Sequence, residues 1–312
     1  MGRKRKFGRL IDGVLIIDKP AGMTSNDVVQ KAKRLYFANK TGHTGALDPL
    51  ATGVLPLCFG EATKFSQYLL DANKTYLSTF RIGMTTDTAD ADGKVLKEVD
   101  ASALTLARVE TAITPYRGDI KQIPPMYSAL KKDGQPLYKL AREGIEVERA
   151  ARAVTIFNYE IKDFRGGEIA EVDVLVECSK GTYIRSLAED LGRDLGFGAH
   201  VATLRRTQAG PFSIEQATTF DALEAERGDE RAEVLDHHLL PMDTPVAQLA
   251  AVELDQNSGF YFSRGQPVIV NQVYRIGDEG DTVRVFQDTG EFLGVGDITD
   301  DGRVAPKRLV VS

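Results

Sequence analysis

The sequence predicts an α+β protein with two domains, the larger built from strands and helices and the smaller rich in strands. Apolar runs of strand length alternate with segments of helical period over most of the chain. Short apolar runs separated by glycine turns follow residue 252. A length of 312 residues with 42% hydrophobic content is sufficient for two hydrophobic cores.

The first elements are a strand and a capped helix. Residues 13–18 form an apolar run that ends at the turn-forming sequence of residues 19–22. Ser25 or Asn26 can cap the helix that follows. The apolar period of this helix is carried by Val28, Val29, Ala32 and Leu35.

The middle of the chain continues this alternation. A hairpin at Gly166 and Gly167 is predicted to join two of its strands. The predicted strands are residues 54–59, 74–83, 153–164 and 168–178. The predicted helices are residues 61–72, 101–116 and 181–195.

The C-terminal part is predicted to be a separate, small β-rich domain. Residues 239–245 have the composition of a linker. We therefore expect a larger domain at residues 1–245 and a smaller one at residues 246–312. The predicted strands of the smaller domain are residues 266–270, 282–287 and 292–298.

Charge is unevenly distributed along the chain. The formal net charge of −6 argues against a protein that binds nucleic acid over its whole surface. Local basic clusters are candidate RNA contacts, although one cluster alone more often marks a solvated surface. The clusters lie at residues 3–6, 31–40, 131–152 and 205–206.

The sequence favours a cytoplasmic protein. Cys58 and Cys178 lie in strand-like runs and form no disulfide framework. No apolar run reaches the length of a membrane helix, and no signal-peptide core follows the basic N-terminus. We therefore expect the reducing cytoplasm.

No motif of a metal or cofactor enzyme occurs in the sequence. There is no Walker A string, no G-x-G-x-x-G, no H-E-x-x-H and no G-x-S-x-G. The four histidines have no cysteine partner at metal spacing. Residues 87–93 imitate a calcium loop, but Thr88 and Val99 occupy its first and last ligand positions. We therefore expect neither a metal nor a cofactor.

The most informative stretch is residues 42–56, G-H-T-G-A-L-D-P-L-A-T-G-V-L-P. Asp48 is an acid among apolar neighbours, bracketed by glycines that permit sharp turns. Pro49 disfavours a helical conformation at Asp48. A loop that presents one carboxylate at the edge of a sheet is predicted, although Asp-Pro in such a loop is more often a plain turn.

Residues 42–53 resemble the catalytic loop of the TruB-type tRNA pseudouridine synthases, whose pattern is G-H-T-G-x-L-D-P-x-A-T-G. The tail of that pattern, G-E-A-T-K, is present at residues 60–64. Ala46 departs from it where relatives often carry threonine, but this position supplies no chemistry. The resemblance implies that Asp48 is the catalytic nucleophile.

Other segments resemble motifs of the same family, in the same order. Residues 18–25 match D-K-P-x-G-x-T-S, and residues 124–134 match P-P-x-Y-S-A-x-K-x-x-G, which contacts RNA in the family. The strings at residues 181–187 and 200–207 match two further motifs. The interleaved lysines, arginines and tyrosines of residues 117–150 also suit single-stranded RNA.

The resemblance implies a role for each candidate residue. Tyr76 would stack on the target base and Arg185 would pair with Asp48, whereas the residues alone also allow a core tyrosine and a surface ion pair. Lys19 would support the loop. The candidate catalytic residues are Asp48, Tyr76 and Arg185, and the candidate substrate-binding residues are His43, Tyr76, Tyr183, Leu204 and Lys19.

The resemblance also implies the fold and the reaction. We expect a pseudouridine-synthase fold, a mixed and mainly antiparallel sheet flanked by helices, with a PUA-like C-terminal domain. We expect an isomerase that flips the T-loop uridine (uridine-55) of tRNA and converts it to pseudouridine, with Asp48 as nucleophile and His43 as a wedge. The expected partner is the tRNA T-stem-loop, bound by a monomer without guide RNA or protein partner.

Two alternatives remain at this point. One is the related guide-RNA-dependent class of the dyskerin type, which shares the Asp-Pro loop but has a different sequence around it. The other is a non-catalytic protein that opens and refolds the T-loop. The presence of Asp48, Tyr76 and Arg185 together favours an enzyme over the second alternative.

Overall fold

The computed structural model describes residues 7–311, so the basic cluster at residues 3–6 lies outside the described part. The described strands are β1 Gly13–Lys19, β2 Thr41–His43, β3 Thr52–Phe59, β4 Lys74–Ile82, β5 Met84–Thr86, β6 Val95–Glu98, β7 Gly118–Gln122, β8 Lys131–Lys132, β9 Gln135–Pro136, β10 Arg152–Arg165, β11 Ala170–Cys178, β12 Ala199–Ala209, β13 Phe212–Ser213, β14 Ala251–Leu254, β15 Val268–Ile269, β16 Thr282–Gln287, β17 Phe292–Ile298 and β18 Arg303–Leu309. The described α-helices are α1 Ser25–Leu35, α2 Ser66–Leu70, α3 Leu106–Ile113, α4 Leu137–Arg142, α5 Ile184–Leu195, α6 Phe220–Arg227 and α7 Gln256–Phe262.

A nine-stranded sheet organises the larger part of the molecule. Its strand order is β1-β3-β12-β4-β11-β10-β7, with β2 on β3 and β13 on β12. All of these pairs are antiparallel except β3 with β12, which run parallel over two residue pairs. The predicted mixed, mainly antiparallel sheet is therefore confirmed.

Helices cover one face of this sheet and form the main core. Strand β4 alternates strictly, with Tyr76, Ser78, Phe80 and Ile82 buried and the residues between them more exposed. Such an alternation is typical of a sheet with one covered face. The buried side chains pack against α1, α3, α5 and α6 in one continuous cluster.

Several elements differ from the sequence-based prediction in length. The predicted helix at 101–116 is shorter, because Thr105 caps α3 and Pro115 lies in a 3₁₀ turn after it. The predicted helix at 61–72 is a 3₁₀ segment, Gly60–Phe65, followed by the short α2. The central strand β12 was not predicted, because two register shifts interrupt its alternation.

Residues from Ala251 onward form their own five-stranded sheet, in the order β14-β16-β17-β18-β15. This sheet has its own hydrophobic cluster, as expected for a small β-rich domain. A second cluster joins it to the rest of the chain, where Phe65 and Val246 pack against Phe292 and Val295. The division at residue 245 remains a prediction.

Among residues 7–311, no helix combines the length and the apolar character that crossing a membrane requires.

The joining cluster gives a stability prediction. A fragment that lacks residues 246–312 should fold, because the nine-stranded sheet is complete without them. It should melt roughly 3–12 °C lower, since exposing one buried phenylalanine costs about 1.5–3 kcal/mol and each kcal/mol shifts Tm by about 2–4 °C. Thermal denaturation followed by circular dichroism measures this. Phe292→Ala in the full chain is the matched control, and a fragment without a cooperative transition would show that the two parts share one core.

Candidate active site

Asp48 lies in the loop of residues 44–51 between β2 and β3, here called the Asp48 loop. The loop is anchored to the first residue of α1, where Ser25 Oγ donates to the carbonyl of Leu47 (3.1 Å) and accepts from its amide (2.8 Å). Gly45 has a φ of +79°, which a residue with a side chain rarely adopts. The turn at Asp48 therefore has a defined shape set by local contacts.

Gly53 is required where the Asp48 loop enters β3. Its φ is +102°, and a Cβ at this position would lie 2.1 Å from the carbonyl oxygen of Arg206. Only glycine allows β3 and β12 to approach this closely. The glycine of the motif thus fixes the position of the loop relative to the centre of the sheet.

Arg185, near the start of α5, holds the Asp48 carboxylate. Its Nε lies 2.9 Å from Asp48 Oδ2 and its Nη2 donates to Oδ1 at 3.1 Å. The guanidinium also donates to the carbonyl oxygens of Thr88 (3.0 Å) and Tyr127 (2.7 Å). Arg185 is only 4% exposed, so it is not the solvent-screened surface pair that the sequence also allowed.

Neighbouring groups act on the pKa of Asp48 in opposite directions. Desolvation raises its pKa above the ordinary value, while the charge and hydrogen bonds of Arg185 lower it. Asp90, whose Oδ2 lies 3.7 Å from Arg185 Nη1, raises the pKa of Asp48 further, and Lys19 lowers it. The side chain of Asp48 is 38% exposed, so the carboxylate is reachable while Arg185 remains buried behind it.

Lys19 lies beneath the Asp48 loop and out of the cleft. It is fully buried, and its Nζ donates to the carbonyl oxygens of Pro20 (2.9 Å), Pro49 (3.1 Å) and Ala51 (2.6 Å). Burial lowers the pKa of Lys19 to about 8. These hydrogen bonds suit a role in holding the loop in place. Lys19 does not line the cleft, so the structure gives no indication that it contacts a substrate directly.

A cleft of about 300 Å³ opens beside Asp48. This volume lies at the lower end of the range for small-ligand pockets. The candidate residues that line it are Asp48, Tyr76, Tyr183, Arg185 and Leu204. Sequence positions up to 156 residues apart therefore meet at one site.

Tyr76 and Tyr183 form walls of this cleft. Burial raises the pKa of both tyrosines, so both hydroxyls are protonated at neutral pH. The backbone of Tyr183 is fixed by Gln122, which accepts from its amide (3.0 Å) and donates to its carbonyl (3.2 Å). Because Gln122 ends β7, the end of this strand lies beside the cleft.

His43 ends β2, just before the Asp48 loop, and does not line the cleft. Its imidazole is half-buried, and burial with the nearby Arg206 charge lowers its pKa. The ring is therefore neutral at physiological pH, which suits stacking between bases.

Two residues near the cleft were not among the candidate site residues predicted from the sequence. Asp90 is buried beside Arg185, within the stretch that imitates a calcium loop. Arg206 is almost fully buried and lines the cleft, although its sequence neighbourhood suggested only a basic cluster. The alternation of β12 would have separated the buried Arg206 from the partly exposed Arg205, but only once the strand was recognised.

The segment of residues 117–150, here called the basic segment, lies at the side of the cleft. It contains β7, the β8–β9 hairpin and α4. Ser128 and Ala129 line the cleft, and the carbonyl of Tyr127 binds Arg185. Lys131, Lys132 and Lys139 are exposed and form no ion pair with an acid within the described residues.

Glu226, His237 and His238 form a cluster with the composition of a metal site. The two Nε2 atoms lie 3.3 Å and 2.7 Å from the Glu226 carboxylate, which direct imidazole–carboxylate pairing explains. The cluster contains none of the residues that line the cleft.

The family was identified by comparison with known proteins. Residues 33–184 match the TruB family pseudouridylate synthase (N terminal domain). Residues 185–247 match the tRNA pseudouridylate synthase B C-terminal domain, and residues 250–310 match Pseudouridine synthase II TruB, C-terminal.

Full-length relatives agree with this result. The tRNA pseudouridine synthase B of Saccharophagus degradans is 66% identical over 310 residues, covering 99% of each chain. That of Pseudomonas aeruginosa is 52% identical over 314 residues, covering 100% of each. A chain in the crystal structure of a Cbf5-Nop10-Gar1 complex has a TM-score of 0.69 and 26% identity, covering 96% of this chain and 84% of that one. The chain therefore belongs to the TruB family of pseudouridylate synthases, as its motifs predicted.

Proposed function

We propose that this protein converts the T-loop uridine of tRNA, uridine-55, to pseudouridine, with Asp48 as the nucleophile. One observation supports the proposal above the others. A single carboxylate projects into a cleft of about 300 Å³ and is bonded from behind by the buried Arg185. Relatives named tRNA pseudouridine synthase B match over the full length, which favours tRNA as the substrate.

The first step is extrusion of the base. A uridine inside a folded loop is out of reach of any side chain, and flipping it costs a few kcal/mol. The ring of Tyr76 offers a stacking surface inside the cleft, with Leu204 and Tyr183 as further walls. The neutral ring of His43 fills the vacated stacking position as a wedge.

The chemical step needs an ionised Asp48. The carboxylate attacks either C1′ of the ribose or C6 of the base, the N1–C1′ bond breaks, and the uracil rotates and rejoins through C5. Arg185 opposes the protonation of Asp48 that desolvation favours. Lys19 fixes the loop on which the nucleophile is carried. The reaction is an isomerisation that we propose to need no cofactor.

The partner is proposed to be the tRNA alone. The basic segment would bind phosphates of the T-stem-loop, because its lysines are exposed and not neutralised by acids within residues 7–311. We propose that a monomer acts in the cytoplasm without a guide RNA. The similar chain of known structure belongs to a complex with further proteins, so the guide-dependent alternative is tested by the substrate used.

The test of function uses an unmodified tRNA transcript without any other RNA or protein. The wild-type protein should form pseudouridine at position 55, as mapped by chemical labelling and sequencing. Asp48→Asn should form none while folding and binding tRNA nearly as well, because the amide has almost the same size but is not a nucleophile. Asp163→Asn, an exposed acid on β10, is the matched control and should remain active.

Two outcomes would contradict the proposal. Pseudouridine formation by a deamidation-free Asp48→Asn protein would remove the nucleophile. A wild-type protein that modifies the transcript only when a guide RNA is added would instead favour the dyskerin-type alternative.

The basic segment gives a second prediction. Replacing Lys131, Lys132 and Lys139 by alanine should weaken tRNA binding and reduce its salt dependence by up to about one unit of log–log slope per lost phosphate contact. Binding measured from low to high salt gives this slope. Lys162→Ala is the matched control, because Lys162 is already paired with Glu160 at 2.8 Å. An unchanged slope in the triple variant would mean that these lysines are only a solvated surface.

A further inference from the structure

Arg206 is bonded to both arms of the Asp48 loop. Its side chain is 1% exposed. Its Nε donates to the carbonyl of Val54 (2.8 Å), after the loop, and its Nη2 donates to the carbonyl of Gly45 (3.1 Å), at the start of the loop. The guanidinium therefore closes the base of the loop that carries Asp48.

The charge of Arg206 is not neutralised by an acid in the described residues. Its neighbour Arg205 pairs with Asp18 through two hydrogen bonds of 3.0 and 2.7 Å, whereas Arg206 forms no ion pair within residues 7–311. A buried cation without an anion is unfavourable, and such charges concentrate at functional sites. The arrangement suggests that Arg206 meets negative charge that develops during the reaction.

Tyr76 lies directly beside Arg206. The two residues are opposite each other in the register of β4 and β12, on the buried face, and both line the cleft. Opposite residues of an antiparallel pair have Cβ atoms about 4.5–5.5 Å apart. Burial raises the pKa of Tyr76, and the charge of Arg206 is the principal influence that opposes this rise.

We propose that Arg206 is a positioning residue that acts through Tyr76, stabilising the negative charge on its oxygen so that Tyr76 can take the proton from C5. The proposal rests on the proposed function, in which the rotated uracil is rejoined through C5. Arg206, buried beside the tyrosine, makes this hydroxyl a usable base.

The Tyr76 phenolate, whose own proton has gone to water, takes the proton of C5. The C5–H electron pair restores the C5=C6 double bond. The displaced electron pair goes to N1 or to the departing Asp48 carboxylate, depending on where Asp48 was attached. Tyr76 is then a neutral hydroxyl again, and N1 of the uracil, whose bond to C1′ was broken earlier, takes from water a proton that replaces the one released by Tyr76.

A double-mutant cycle tests the proposal under single-turnover conditions on a T-stem-loop RNA. Tyr76→Phe should lower the rate by roughly 10²–10⁴ with little change in RNA affinity. Arg206→Met should lower the rate at neutral pH by at least about tenfold, one unit of the Tyr76 pKa, and should move the alkaline rise of the rate to higher pH. In the Tyr76→Phe background, Arg206→Met should cost clearly less than it does in the wild type, because only its support of the Asp48 loop remains to be lost.

Arg206→Lys keeps the charge and is the conservative variant if Arg206→Met does not fold. It should restore part of the rate and bring the pH profile back towards the wild type. Additive losses in the double variant, or an unshifted pH profile in a folded Arg206 variant, would overturn the proposal and leave Arg206 as a support of the loop. Full speed in Tyr76→Phe would overturn the proposal as well, but pseudouridine formation by the wild type would still support the proposed function.

Discussion

The bond between Arg185 and Asp48 is the constraint on which the rest of the site depends. One buried guanidinium contacts the Asp48 carboxylate, the carbonyl of Thr88 and the carbonyl of Tyr127. Three segments that are distant in sequence are thereby held at the start of α5. Because one of them belongs to the basic segment, a movement of that segment would change the hydrogen bonds of the group that lowers the pKa of Asp48.

The sheet supplies the rigidity that this arrangement needs. Asp48 sits on a loop, but Lys19 at the end of β1 and Arg206 in β12 bind carbonyl groups at both ends of that loop. Gly53 allows β3 to touch β12 without a side chain between them. The Asp48 carboxylate is therefore positioned by central strands rather than by the loop itself, which is the arrangement that precise catalysis favours.

Much of this could be predicted from the sequence, and the exceptions have physical causes. The glycine and proline positions around Asp48 predicted a loop, and apolar runs predicted β1, β3, β4, β10 and β11. Arg206 could not be separated from Arg205 without knowing that β12 is a strand, and its register shifts hide that pattern. Asp90 can be recognised only by its spatial proximity to Arg185. The linker-like composition of residues 239–245 suggested two independent domains, whereas Phe65 packs on Phe292 across that boundary.

The protonation state of Asp48 tests the central claim most directly. A ¹³C-NMR pH titration of aspartate-labelled protein, with the Asp48 signal assigned by its loss in Asp48→Asn, reports this carboxyl group alone. We expect it to titrate above the ordinary aspartate value of 3.8, to be a carboxylate at neutral pH, and to titrate at higher pH still in Arg185→Gln. A carboxyl group that is protonated at neutral pH in the wild type, or a titration that Arg185→Gln leaves unchanged, would contradict the account.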